Sequence, residues 1–521
     1  MTRHAVRFGW LLAAGALLLA GLACARGDVT VTQAVPDSEP AITEVPVSPT
    51  PLTPTVPPSP TVAISPTPAE PVAPVSPTPP PTPTPNGSDL PSTVLYEVQP
   101  GDTLRSLAIR FGVLAEEISV VEGQLPPENE LLGIGQLLVI PRRLGPTGPA
   151  QKLLPDSEFV FSPHAVDFDA AAFANEQGGF LGEYQEFVYG GWRSGGEVIE
   201  LAARDNSVNP RLLMAVLEYE SGWVRNPTRP EGDNFSYPLG HKNPQAVGLF
   251  RQLTWLANAM GEGYYAWRMG TLTELSFSDT TVVRLAPEIN AATAAIQTFY
   301  AQRLTGRSWA EAVSEQGLLA DYQTLFGDPW QYQHPLFEPG IVQPELILPF
   351  LPEHTWAFTG GPHGAWEREA AWAALDFAPP SIQSGCVDSD EWVVASAPGL
   401  VLRASDGVVV LDLDGDGREQ TGWVLIYLHV SDRGRVQIGD FVELGDLLGH
   451  PSCEGGIATG THVHLARKYN GEWILADGPL PFTLSGWVAR AGVAPYQGAL
   501  VNGDQTVLAC TCASSQTYIK R

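Results

Sequence analysis

Five residues in the last third of the chain have the types and spacing to do chemistry: His363, Asp376, His429, His462 and His464. His363 sits in Gly360-Gly361-Pro362-His363-Gly364, Asp376 in Ala374-Leu375-Asp376-Phe377-Ala378, and His429 in Tyr427-Leu428-His429-Val430. The other two share Gly460-Thr461-His462-Val463-His464-Leu465. Residues i and i+2 of a strand point to the same face, so His462 and His464 can converge while Val463 turns towards a core. Two imidazoles and a carboxylate form a hard-to-borderline ligand set that suits Zn2+. Three protein ligands leave a fourth position open, which is the catalytic rather than the structural arrangement.

The surrounding segments read as strands. Gly407-Val408-Val409-Val410-Leu411 and Trp423-Val424-Leu425-Ile426-Tyr427-Leu428 are rich in β-branched and aromatic residues, with Asp-Gly turns between strands. The constellation resembles the lysostaphin and beta-lytic type of zinc endopeptidase, a duplicated hybrid motif fold whose pattern runs His…Asp, Tyr-x-His, Gly-Asp-x-Val-x-x-Gly, His-x-His. Here Gly439-Asp440-Phe441-Val442-Glu443-Leu444-Gly445 stands between His429 and His462, and Asp376 lies thirteen positions after His363, a gap similar to that of the beta-lytic branch. The resemblance implies that His363, Asp376 and His464 ligate zinc. It implies that His429 and His462 are catalytic, orienting water, moving protons and stabilising the oxyanion. The reaction implied is hydrolysis of amide bonds in peptidoglycan peptides.

Two further sites suggest themselves. Glu220-Ser221-Gly222-Trp223 follows an apolar stripe of Leu212, Leu213, Val216 and Leu217. It resembles the Glu-Ser-Gly-aromatic signature of lytic transglycosylases and goose-type lysozymes, with looser echoes in Val208-Asn209-Pro210 and Ala246-Val247-Gly248-Leu249-Phe250. A single acid in an apolar site can protonate a glycosidic oxygen. Glu220 is therefore either a general acid or an ordinary cap or ion-pair residue of a lysozyme-like scaffold. Asp412, Asp414 and Asp416 resemble the first half of a Ca2+ loop, but Trp423 occupies the twelfth position, so an Asp/Gly hairpin tip is the favoured reading and Ca2+ the alternative.

Elements upstream must position and deliver these groups. Residues 155–335 read as a helical, lysozyme-like domain, with helices over Gly195–Asp205, Pro210–Glu220 and Ala291–Leu304. Asn209 serves as N-cap and Pro210 as first helical residue. Before it, Tyr96-Glu97-Val98 alternates like a strand and Leu104, Leu107, Ala108 and Phe111 make a helical stripe. A second short helix is expected over 115–122, and Leu137-Leu138-Val139-Ile140-Pro141 closes as a strand. This βααβ pattern over residues 94–143 resembles the LysM module. The resemblance implies binding of N-acetylglucosamine-containing glycan through Gly101, Asp102, Thr103, Leu104, Ile134, Gly135 and Gln136.

At 521 residues with 48 prolines, 17% charged residues and a net charge of −28, the chain reads as folded modules joined by spacer. A surface of that sign repels a phosphate backbone, so nucleic acid is not an expected partner. Arg3, His4 and Arg7 precede an apolar run over 8–22, a secretory signal too short for a membrane span. Ala20-Gly21-Leu22-Ala23-Cys24 resembles a bacterial lipobox, which implies lipidation of Cys24 and a membrane-anchored protein facing the cell wall. Residues 25–93 form a Pro/Thr/Ser-rich extended linker. Cys386, Cys453, Cys510 and Cys512 suggest disulfides in an oxidising compartment, with three pairings open.

The expected architecture is thus multidomain α+β: signal peptide (1–24), linker (25–93), LysM module (94–143), helical domain (155–335), antiparallel β-rich zinc peptidase (340–495) and C-terminal tail (496–521). A cell-wall hydrolase in the extracellular envelope follows. Its rivals are a glycan-cleaving enzyme centred on Glu220 and a non-catalytic wall-binding regulator.

Overall fold

The computed structural model describes residues 92–366, 371–512 and 514–521. The signal segment, Cys24 and nearly all of the proline-rich linker lie outside the described residues. Among the described residues no helix is long and apolar enough to cross a membrane.

Near the N-terminus, strand Thr93–Glu97 pairs antiparallel with Leu137–Pro141, which also pairs with the short strand Ser119–Val120. Helix Leu104–Phe111 is started by a capping box in which the Thr103 side chain accepts from Ser106 N–H, and Gly112 ends it in the left-handed conformation. The second helix expected over 115–122 is not formed. A single 3-10 turn, Ala115–Glu117, is followed directly by the strand. The reason is local: Leu114 offers no side-chain cap, Ile118 is buried, and Ser119 and Val120 find ladder partners in Val139 and Leu138.

The helical region keeps the expected elements. Gly195–Asn206 starts at a Ser194/Glu197 capping box, Pro210–Ser221 starts at the Asn209 cap, and Ala291–Ala301 stops three residues before the expected end. The long helix Leu249–Arg268 packs against Ala291–Ala301. A small hairpin, Gln185–Val188 with Gly191–Ser194, precedes the first of these.

Among the described residues, the β-rich region forms a nine-stranded sheet whose pairings are all antiparallel. The order runs Phe441–Val442, Gly399–Ser405, Val408–Asp412, Trp423–Leu428, Val463–Tyr469, Trp372–Ala378, Thr355–Gly364, Tyr518–Lys520, with Glu472–Trp473 also paired to Val463–Tyr469. Alternation divides each central strand between two cores. Val408, Val410, Val424, Ile426 and Ala466 join the core of the helical region. Val409, Leu411, Leu425, Tyr427 and Leu465 face a second core inside the β-rich region. Burial on both faces explains why these strands read as unbroken apolar runs rather than alternating ones. The helical and β-rich regions therefore share one continuous core.

The stretch expected to be a tail, 496–521, belongs to the fold. Strand Gly498–Asn502 pairs with Trp487–Ala491 and with Gln505–Leu508, and Tyr518–Lys520 edges the large sheet against Thr355–Ala357. Leu500, Val507 and Ile519 bury their side chains there, and that burial is what orders the segment. The disulfides pair Cys386 with Cys453 and Cys510 with Cys512.

Buried charges tie the regions together. Asp205, at the end of helix Gly195–Asn206, accepts from Arg403 Nη1 of the sheet at 2.9 Å, and Arg403 also pairs with Glu419 at 2.6 Å. Lys468 Nζ lies 3.6 Å from Glu419, and burial pulls its ammonium down to about 8 against the pull of that carboxylate. Elsewhere Arg268 and Tyr264 both reach Glu472. Asp205→Ala would remove one of the two buried carboxylates that pair with Arg403 and leave Glu419, a loss of about 1–3 kcal/mol. Urea unfolding should show a lowered midpoint while keeping one transition for both regions. A loss under about 0.5 kcal/mol, the range of a neutral surface change, or two separated transitions, would contradict the shared core.

Candidate metal centre

Strand register brings three of the five predicted residues side by side. On Val463–Tyr469, His464 lies directly opposite Asp376 of Trp372–Ala378. Asp376 in turn faces Gly360 of Thr355–Gly364, and register shifts between Gly360 and Gly364 carry His363 back towards the carboxylate. Gly360 is required by this approach, because a Cβ there would strike the Asp376 carboxylate.

The geometry is tight. His363 Nε2 and His464 Nδ1 are 3.0 Å apart, and each is 3.2 Å from Asp376 Oδ1. All three side chains are buried. Backbone carbonyls account for the other ring nitrogens: His363 Nδ1 is 2.8 Å from Gly361 O and His464 Nε2 is 2.9 Å from Ala365 O. Each of those nitrogens must carry the proton and donate it to its carbonyl. The remaining nitrogen therefore presents a lone pair to Asp376 Oδ1, which makes no hydrogen bond. With both rings neutral, three lone-pair atoms facing one another at 3.0–3.2 Å repel unless a proton or a metal ion sits among them. Ligands about 2.0–2.1 Å from a tetrahedral zinc are separated by roughly 3.3 Å, close to the spacing found. The donor set and the orientation of its lone pairs thus fit zinc.

Burial lifts the Asp376 carboxyl, but the imidazoles of His363 and His462 outweigh it and hold the group well below the usual range. Burial alone would lower His363. Asp376 and the Gly361 carbonyl overcome it and raise the ring, whereas burial wins at His464 and lowers it.

The other two predicted residues flank this triad. His429 lies in the left-handed region at φ 64°, a strained conformation for a non-glycine residue. Its Nδ1 bonds to Glu454 O at 2.9 Å, and that of His462 to Gly460 O at 2.7 Å. The two rings lie 4.4 Å apart, and His462 Nε2 is 3.8 Å from Asp376 Oδ1. Both imidazoles turn Nε2 away from their carbonyl partners. Burial and the neighbouring imidazoles push His429 down to about 3, so its ring is neutral.

Tyr496 was not expected here. Its ring stacks on His363 at 4.1 Å, and its φ is 68°. It sits beyond the last histidine in a stretch read as tail, and a single tyrosine in a turn carries no signal of chemistry. A cleft of about 770 Å³ opens over the centre, lined by His429, His464, Tyr496, Trp366 and Arg403, and by Tyr189, Arg204 and Asp205 of the helical region.

Glu220 is not among the residues lining that cleft. Arg303 holds it bidentately, at 3.1 and 3.0 Å, and Arg303 also donates to Leu239 O. Burial raises the Glu220 carboxyl and the guanidinium opposes it. Burial outweighs the guanidinium, so the carboxyl stays above its usual range while paired with Arg303.

The Asp412, Asp414 and Asp416 carboxylates have oxygens within 4.8 Å of one another. Asp412 spends its oxygens on the N–H groups of Asp414, Gly415 and Gly417, closing the loop on itself. Burial and its acidic neighbours push Asp414 up to about 6. The loop spans residues 413–422 and joins two strands that pair antiparallel, so it is the tip of a hairpin, as expected.

In the N-terminal module, three of the predicted glycan-binding side chains are structural. Asp102 is buried, bonded to Arg110 at 2.7 Å and accepting from Tyr96 Oη and Gln99 N. Thr103 caps the helix and Leu104 lies in the core. Gly101, at φ 82°, abuts Arg268, and Ile134 packs beside Phe337, Tyr469 and Ile474. Gly135 is exposed, and Gln136 is half-buried.

Comparison with known proteins places two segments. Residues 96–141 match the LysM domain family, and residues 152–338 match the family described as LasA, N-terminal domain. No curated protein matches the chain. Among solved structures the chain is similar to pseudoalterin, an M23 metalloprotease from the deep sea (22% identity, 32% of this chain and 96% of that one, TM-score 0.27). It is also similar to a putative M23 peptidase from Pseudomonas aeruginosa (24%, covering 26% and 51%, TM-score 0.18). A third is the catalytic domain of lysostaphin from Staphylococcus simulans (21%, covering 24% and 89%, TM-score 0.18).

The centre predicts one tightly bound zinc per chain. His464→Ala should weaken zinc binding by at least about 100-fold, since even an outer partner of a ligand is worth 10–100-fold. Metal analysis after dialysis against a competing chelator measures it. Unchanged zinc content in the variant would exclude His464 as a ligand.

Proposed function

We propose that the chain is a zinc-dependent endopeptidase that hydrolyses amide bonds in peptidoglycan peptides, with its LysM module bringing it to glycan. It would act in the extracellular cell envelope, anchored to the membrane through Cys24. The observation that carries this reading is the convergence of three lone pairs on one point, in an open cleft, beside two further imidazoles.

His363 Nε2, Asp376 Oδ1 and His464 Nδ1 would hold the ion. Zinc bound there supplies Lewis acidity, polarising a peptide carbonyl and lowering the pKa of water to about 7. The protein's own groups do the rest. The Gly361 and Ala365 carbonyls fix the ring orientations of His363 and His464, so little reorganisation is needed on binding. His429 and His462 each keep one nitrogen free of the backbone, one to accept the proton of the attacking water and the other to deliver a proton to the departing amine. Neutral His429 suits the accepting role. Stacked on His363, Tyr496 restricts that ring from the cleft side.

His462→Ala should retain zinc and lose about 10²–10⁴-fold in rate, the usual share of a positioned proton-transfer group. Mass spectrometry of fragments released from purified wall should show new amino groups with the parent chain and not with the variant. New reducing or anhydro sugar ends, persisting in His462→Ala, would instead assign the activity to Glu220. Release of nothing by a zinc-loaded parent chain would leave a wall-binding protein.

A further inference from the structure

The hairpin Gln185–Val188/Gly191–Ser194 carries a surface that packing does not explain. Phe187 and Trp192 are direct cross-strand partners, so their rings share one face, with centroids 5.8 Å apart. They are 59% and 70% exposed, while Val188 on the opposite face is buried. Paired aromatics held in water mark binding surfaces.

The hairpin is braced against the metal cleft. Its two-residue turn, Tyr189-Gly190, has positive φ at both positions, 48° and 73°, the tight geometry that fixes strand register. The Glu186 carboxylate accepts from Phe250 N–H at 3.0 Å. Tyr189 Oη donates to Asp205 at 3.0 Å, Asp205 bonds Arg403 of the sheet, and Tyr189 itself lines the cleft. The aromatic pair therefore stands on a rigid extension of the cleft wall.

We propose that this hairpin is a saccharide platform that holds the glycan strand while its attached peptide enters the cleft. The proposal rests on the peptidase reading above. Sugar rings present C–H faces that stack on aromatic rings, and hydroxyls that need nearby hydrogen-bonding groups. The Phe187/Trp192 pair supplies the first, and Gln185, exposed two residues away on the same face of its strand, supplies the second. A net charge of −28 repels anionic lipid and nucleic acid. An aliphatic peptide would call for a groove rather than two rings on a ridge. In peptidoglycan the peptide is carried on the sugar, so a glycan contact continuous with a peptide cleft matches the connectivity of the substrate.

The test uses the full chain, the double variant Phe187→Ala/Trp192→Ala and the conservative variant Phe187→Tyr/Trp192→Phe. Two soluble substrates carry the same cross-linked peptide, one bearing disaccharide units and one without sugar. The double variant should raise KM about 10-fold or more on the glycan-linked substrate and leave kcat and KM on the free peptide unchanged. The conservative variant should restore the parent value. Equal losses on both substrates, or none on either, would overturn the platform. Calorimetry of the glycan-linked fragment with metal-chelated chain separates this from the peptidase reading, since the LysM contribution is common to parent and variant. If the parent cuts neither substrate and the double variant still binds that fragment more weakly, the platform stands and the peptidase reading falls. Equal binding by parent and double variant sinks the platform.

Discussion

The structure turns on three lone pairs forced to face one another. His363, Asp376 and His464 come from three adjacent strands, and their closeness follows from register: His464 opposite Asp376, and Asp376 beside the glycine that leaves it room. Backbone carbonyls then take up the outer nitrogen of each imidazole. Rotating either ring to relieve the repulsion would break a buried hydrogen bond, so the strain is held in place for a cation to relieve. A register slip of one residue would turn Asp376 or His464 to the opposite face and abolish the site.

That register is held from both sides. The strands bearing the ligands are interior strands of a sheet whose two faces are buried, one in a core of its own and the other in the core of the helical region. The Asp205–Arg403–Glu419–Lys468 cluster crosses the same junction, and its members are largely cut off from water, where an unmatched charge is costly. The segment that matches the LasA N-terminal family is therefore a wall of the cleft as well as a neighbour of it. The N-terminal module is docked similarly: Arg110 donates to Trp267 O at 2.7 Å and lies over the Trp267 ring.

Much of this was legible in the residues. The His-x-His alternation, the apolar strand runs and the Asn209-Pro210 helix start are local signals, and each appears where local physics puts it. What failed depended on distant partners. The helix expected over 115–122 gave way because Val139 and Leu138, twenty residues on, offer a ladder to Ser119 and Val120. The supposed tail became strands because Leu500 and Ile519 find cover in a core built from other segments. The motif around Glu220 was legible, but its ion-pair partner Arg303, distant in sequence, was not. Tyr496 and the Tyr189 hairpin reach the cleft only through the packing of whole regions, and no spacing rule anticipates that.

X-ray absorption at the zinc edge, on the full chain loaded with one equivalent of zinc, addresses the centre most directly. The expected spectrum has a first shell of nitrogen and oxygen only, near 2.0–2.1 Å, with outer-shell scattering from two imidazoles. A sulfur shell near 2.3 Å, or three or more imidazoles in the first shell, would contradict the assignment of His363, Asp376 and His464 as the ligand set.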